Sequence, residues 1–81
     1  MTIKLKFFAI LHDLAGVRES ALELPEGATV AIAADAIARQ FPTITKHLPR
    51  IAFAVNQEYR SKETVLREGD EIALIPPVSG G

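Results

Sequence analysis

Cysteine is absent from the 81 residues. Packing, not disulfides, must therefore hold the fold, and thiol nucleophiles and thiolate metal sites are excluded. Histidine is almost as scarce. His12 and His47 stand far apart, have no ligand-like neighbours and read as ordinary surface or boundary residues, so no metal site is expected. No apolar run reaches membrane length and no signal peptide opens the chain, which predicts a cytoplasmic protein with no membrane partner. Lys and Arg number 9 against 10 Asp and Glu, scattered along the chain for a formal net charge of -1. A nucleic-acid surface needs clustered basic residues, so no nucleic acid is expected either. A Gly-rich phosphate loop, a nucleophile elbow and internal repeats are also missing. A self-sufficient enzyme is not what such a chain suggests.

What is present is enough apolar material for one small domain. Hydrophobic residues make up 48% of the chain, and the mean hydropathy is slightly positive at +0.18. A core of this size is marginal and leaves little to spare.

The pattern along the chain alternates between two periods. Ile3-Lys4-Leu5-Lys6-Phe7 is a half-buried strand with Ile3, Leu5 and Phe7 inward. Phe8 falls by parity on the lysine face, so either the strand bends there or an aromatic ring is exposed. Residues 11–17 are too long for a tight hairpin; Leu14 is expected under the sheet, with Gly16 turning the chain. Ser20 to Leu24 is a second alternating strand, followed by a Pro25-Glu26-Gly27 turn. Thr29 is a good N-cap. Val30, Ala33, Ala34, Ile37, Ala38 and Phe41 form one helical stripe, which predicts a helix over 30–40 stopped by Pro42. Thr43 to Leu48 suits a short helical turn ended by Pro49. Ile51 to Val55 alternates again, with alanines on the other face. Asn56 suits a left-handed turn, Tyr59-Arg60 a short return strand, and Leu66 a lone apolar anchor. Glu71 to Ile75 is the last strand.

Strand, strand, helix, strand, short strand, strand is an α+β order. One amphipathic helix and one sheet with a single apolar face bury each other, which predicts a roll with the helix packed across a mixed sheet. The first and last strands pair in parallel if the two hairpins lie side by side.

The chain ends Pro76-Pro77-Val78-Ser79-Gly80-Gly81. Glycine loses the most backbone entropy on ordering and buries no side chain, so a Gly-Gly end contributes nothing to a core. By composition alone two terminal glycines occur about once in two hundred chains. The prolines stiffen the base of the tail. A domain over 1–75 and a flexible tail over 76–81 are therefore expected, with the α-carboxylate of Gly81 as the functional group delivered into a narrow slot. Ala73 and Ile75 face outward by parity, so Phe8 and Ile75 share the outer face, and Tyr59 joins them if the return strand lies nearby. This apolar cluster beside the tail predicts a docking surface. The alternative is that each residue caps a sheet edge with no partner.

Phe7-Phe8-Ala9 with Leu14-Ala15-Gly16, then Ala54-Val55-Asn56-Gln57, Gly69-Asp70-Glu71 and the Pro-Pro-Val-Ser-Gly-Gly ending, resembles the small, sulfur-carrying subunit of molybdopterin synthase over nearly the whole chain. The resemblance implies a β-grasp, ubiquitin-like fold. It also implies a role in molybdenum cofactor biosynthesis, within a heterotetrameric sulfurtransferase whose other subunit holds most of the catalytic groups. Gly81 would be adenylated by a ubiquitin-activating-type enzyme that binds ATP and Mg²⁺, this chain binding no cofactor of its own. A sulfur donor protein would convert Gly81 to a thiocarboxylate, which gives its sulfur to cyclic pyranopterin monophosphate in the large subunit. Gly80 and Ser79 would thread the channel, and Val78 and Pro77 would set the reach. Phe8, Tyr59 and Ile75 would dock both partners in turn. One departure stands out: His12-Asp13 occupy the place of an Arg-Glu pair common in the family. A thiamine-pathway sulfur carrier and a ubiquitin-like protein modifier are alternatives with the same tail.

Overall fold

A computed structural model of the chain describes residues 1–77. Its elements are β1 (Thr2–Phe7), α1 (Ile10–Ala15), β2 (Glu19–Glu23), α2 (Val30–Gln40), a 3₁₀ segment (Pro42–Arg50), β3 (Ala52–Val55), β4 (Glu58–Tyr59) and β5 (Glu71–Ile75). The five strands form one mixed sheet in the order β2-β1-β5-β3-β4. β1 and β5 pair in parallel at its centre, with Leu5 opposite Ile72 and Phe7 opposite Leu74. β1–β2, β3–β5 and β3–β4 are antiparallel. This is the expected α+β roll of β-grasp type, a mixed sheet with one main helix packed across it.

Alternation in β1 does what period two requires: Ile3 and Leu5 are fully buried and Phe7 nearly so, while Lys4 faces solvent. The main helix obeys its own period. Val30, Ala33 and Ile37 are fully buried in one stripe against the sheet. Thr29 caps it, its Oγ1 accepting from the Ile32 amide at 3.3 Å. The first two amide donors of the helix find carbonyls in the neighbouring loop, Val30 N–H on Thr64 and Ala31 N–H on Lys62. Leu66, almost fully enclosed, anchors that loop and donates its own N–H to the Ala28 carbonyl. Phe41 closes the far end of the helix, its ring edge-on to Phe7 with centroids 4.9 Å apart.

Two expectations are corrected. The sequence pattern treats residues 11–17 as a loop with Leu14 tucked in. Instead Ile10–Ala15 is a short helix, and Leu11 is the fully buried residue while Leu14 is half-buried at the edge of the core. Six residues are too few for a helical period to register in sequence. Gly16 then takes the left-handed position (φ 81) that terminates α1, its N–H donating to the His12 carbonyl. The second correction concerns Pro49. It does not end the helical turn but lies inside the 3₁₀ segment, which runs on to Arg50 and buries Ile44. Pro49 is the first central residue of the closing turn, in which the Ile51 N–H donates to the Leu48 carbonyl, a position that asks no donor of it.

Candidate functional site

Both helices and the 3₁₀ segment lie on one side of the sheet, where the core residues gather. The outer face has no such cover among the described residues. Register fixes what that face carries. Lys6 lies opposite Ala73, Ala73 opposite Ala54, and Ala54 opposite Tyr59, so these four form one row across β1, β5, β3 and β4. One pleat further on, Ile75 stands opposite Ala52.

The consequence is a groove of about 340 Å³ lined by Lys6, Phe8, Ala54, Gln57, Tyr59, Glu71, Ala73 and Ile75. Its floor is alanine. Ala54 and Ala73 are only 4% and 9% exposed although no helix lies over them. The larger side chains around them do the covering. Phe8 stands at one wall (46% exposed), Tyr59 at the other (71% exposed), and Ile75 is half-buried between them. Small floor residues beneath larger ones leave an open concavity with an apolar floor on this face. The polar end is a Lys6–Glu71 ion pair, Nζ to Oε2 3.4 Å. Partly exposed to solvent, it contributes less than about 1 kcal/mol and serves to set charge at the rim.

Each wall is aimed by a turn. After β1 the chain reverses at Ala9, which has φ 52 and ψ -131. The Leu11 N–H donates to the Phe8 carbonyl at 3.0 Å, closing the turn. The Ala9 conformation is close to the first central position of a type II′ turn, where glycine is the usual occupant. The turn sends Leu11 into the core and leaves Phe8 outside, so both readings of the Phe8 parity conflict hold: the chain bends, and the ring is exposed. At the other wall, Asn56 (φ 51) and Gln57 (φ 70) are the central residues of a two-residue hairpin between β3 and β4.

The structure thus brings together Phe8, Tyr59 and Ile75. Pro76, half-buried, and Pro77, exposed, follow directly from Ile75 at the edge of the groove. Val78, Ser79, Gly80 and Gly81 lie outside the described residues. His12 and Asp13 line no part of this groove. His12 borders a second cleft on the far side of Phe8, with Lys6, Arg18 and Glu19, and its Nδ1 is 3.5 Å from Asp13 Oδ1. Among the described residues no polar or charged side chain is buried, and no three His, Asp or Glu side chains group as metal ligands. No helix among them is long and apolar enough to cross a membrane.

Sequence reasoning missed Lys6, Ala54, Gln57, Glu71 and Ala73 as parts of the groove. The alternation of the last two long strands already placed both alanines outward. What it lacked was the cross-strand register that aligns them.

Comparison with known proteins gives this geometry a family. The sequence profile of the ThiS family matches residues 5–81. The chain belongs to the ThiS family. Among curated relatives, the molybdopterin synthase sulfur carrier subunit of Chlamydomonas reinhardtii is 40% identical over 84 aligned positions, covering all of both chains. Its counterpart in Arabidopsis thaliana is 34% identical over 79, covering 98% of this chain and 82% of that one. Among solved structures, SAMP1 from Haloferax volcanii superposes with a TM-score of 0.91 at 31% identity, again over the full length of both. In this ThiS-family chain the groove and the C-terminal segment therefore lie within the matched region.

Proposed function

We propose that this chain is the sulfur carrier of a molybdopterin synthase and that the groove docks, in alternation, the enzyme that charges it and the subunit that discharges it. The observation that carries the reading is the position of the groove: its Ile75 wall leads without interruption into Pro76 and Pro77, so a partner seated on Phe8, Tyr59 and Ile75 receives the chain end alongside. Family membership extending to residue 81 supports it, as do the names of the relatives.

The chemistry follows from the end group. A carboxylate is a poor electrophile. An oxygen of the Gly81 carboxylate attacks the α-phosphorus of ATP, bound with Mg²⁺ on the adenylating partner, and pyrophosphate leaves. The outer sulfur of a persulfide on a sulfur donor protein attacks the acyl carbon, and AMP departs with the oxygen that joined it to the chain. A second thiol then cleaves the acyl disulfide's S–S bond, forming a disulfide and releasing the thiocarboxylate. The thiocarboxylate is a soft nucleophile: its sulfur attacks a carbon of the cyclic pyranopterin monophosphate held by the large subunit and displaces an oxygen bound to that carbon as the carbon–sulfur bond forms, as other protein-borne nucleophiles form covalent intermediates. Water then cleaves the acyl–sulfur bond, which leaves the sulfur on the pterin and restores the carboxylate. Gly80 and Ser79 pass through the partner's channel, where a Cβ on Gly80 obstructs passage. Val78 and Pro77 set the distance from groove to reacting carbon. A pairing of subunits 1 and 2 is seen in the molybdopterin-converting factor complex of Helicobacter pylori, which contains a chain of the same fold.

Intact-mass measurement of the protein isolated from cells tests this. A fraction with one terminal oxygen exchanged for sulfur is expected. Gly81→Ala is expected to fold with unchanged thermal stability and to show little sulfur transfer to the pterin. Molybdoenzyme activity that survives deletion of Gly81 would sink the reading. The likeness to SAMP1, named in a second structure as a small archaeal modifier protein, favours a second role as a protein modifier. That role appears as isopeptide adducts to lysine that are lost with the same deletion.

A further inference from the structure

Tyr59 forms one wall of the groove from an exposed position in a strand of two residues. β4 is the last strand of the sheet and pairs only with β3 among the described residues. Its placement therefore depends on the turn that precedes it. That turn is locally weak. A two-residue hairpin of this kind needs positive φ at both central positions, for which Asn-Gly is the favoured pair. Here the second position is Gln57, at φ 70, a conformation that side chains with a Cβ resist.

Side-chain hydrogen bonds compensate. Asn56 Nδ2 donates to Asp70 Oδ1 at 2.9 Å. Asn56 Oδ1 accepts the Glu71 amide at 3.1 Å, and the Asn56 N–H donates to the Glu71 carbonyl at 2.8 Å. The second oxygen of Asp70 accepts the Arg67 amide at 2.8 Å. Each polar atom of the two side chains has one role, and together they tie the hairpin to the start of β5, the central strand.

We infer that Asn56 and Asp70 are a lock that positions Tyr59 for partner docking; they are positioning residues that act through Tyr59. The inference rests on the docking role given to the groove above. The lock explains why a glutamine is tolerated at the turn: the strain at Gln57 is held by contacts that the wrong turn conformation loses. It also assigns a physical task to two separated sequence segments, 55–57 and 69–71, which no chemistry of the chain end requires.

The pair can be reversed without loss. In the double variant Asn56→Asp/Asp70→Asn, the amide side chain placed at position 70 accepts from the Arg67 amide and donates to position 56, whose carboxylate still accepts from the Glu71 amide. Net charge is unchanged. Each single variant breaks the pattern: Asn56→Asp sets two carboxylates face to face, and Asp70→Asn leaves one donor facing another. Tyr59 is the single tyrosine and tryptophan is absent, so intrinsic fluorescence reports that one ring. Iodide quenching and anisotropy of Tyr59, with calorimetric titration against the synthase large subunit of the same organism, test the idea.

Both single variants are expected to alter Tyr59 quenching and to weaken binding about tenfold, the scale of one lost charge-assisted hydrogen bond. The double variant is expected to restore both. In a Tyr59→Ala background, Asp70→Asn is expected to cost no further affinity. Single variants with wild-type fluorescence and affinity overturn the lock. So does a double variant no better than the singles, or an Asp70→Asn effect that persists without Tyr59. A wild-type chain that fails to bind the large subunit, while its Tyr59 signal still follows the lock, upholds the lock and overturns the docking reading.

Discussion

Ala9, Asn56 and Gln57 are the residues other than glycine that adopt positive φ among those described, and every one of them adjoins a wall of the groove. Such conformations cost of order 1–3 kcal/mol each for a residue with a Cβ and gather where function over-determines the backbone. Ala9 gives the cleanest case, because its turn is the kind in which glycine is at ease. Ala9→Gly removes the strain but adds about 0.5–1 kcal/mol of unfolded-state entropy to overcome. The net expectation is a gain of about 1 kcal/mol, seen as a melting temperature higher by roughly 4–8 °C in a domain of this size. A lower melting temperature would mean that the Ala9 Cβ makes a contact that outweighs its backbone cost. The floor makes a second point at this scale. Ala73→Leu places a branched side chain in the groove, where there is room for it, and leaves the core side of β5 untouched. Chemical denaturation is expected to show stability within about 0.5 kcal/mol of the parent, as for substitutions that leave the core untouched, while binding to the large subunit falls at least about tenfold, or roughly 1.4 kcal/mol.

Among the elements, α1 shows how a segment too short to read as a helix is nonetheless held as one. Six residues cannot sustain a helix in isolation. Leu11 holds it down, fully buried against the sheet, and the Thr43 hydroxyl donates to the Leu14 carbonyl at 2.6 Å, tying α1 to the 3₁₀ segment. Leu11→Ala is expected to cost about 2–5 kcal/mol in urea unfolding, the range for a large buried aliphatic cut to alanine. Loss of Phe8-dependent partner binding should accompany it, since α1 and the Phe8 turn share a boundary at Ala9. A cost under about 1 kcal/mol, below that range, would show that the segment packs loosely and that the turn alone aims Phe8. The main helix contrasts with this. Its eleven residues carry their own period, cap and stop, and its observed span, Val30–Gln40, is the one that the sequence pattern predicts.

Across the whole molecule, the division of labour is between the two faces of one sheet. The inner face is closed by helices, and the side chains buried there are apolar. The outer face carries charge over β1 and β2 and an apolar groove over β5, β3 and β4. Parallel pairing of β1 with β5 makes this possible. It places Phe8, from the start of the chain, on the same rim as Ile75, from its end, and so builds the groove around the root of the C-terminal segment.

By itself the sequence determined which side chains of β1 and α2 enter the core, because burial follows period two in β1 and period 3.6 in α2 and both periods are local, whereas Leu11 and the covered Ala54 and Ala73 break the pattern. It also determined the roll, since one apolar helix stripe and one apolar sheet face have few ways to cover each other. Tertiary structure alone decided the groove. Its floor pairs Ala54 with Ala73 and its walls join residues 8, 59 and 75, contacts set by strand register and by turns at Ala9 and Asn56-Gln57. Register between strands distant in sequence is a property of the assembled sheet, and no periodicity within a single strand encodes it.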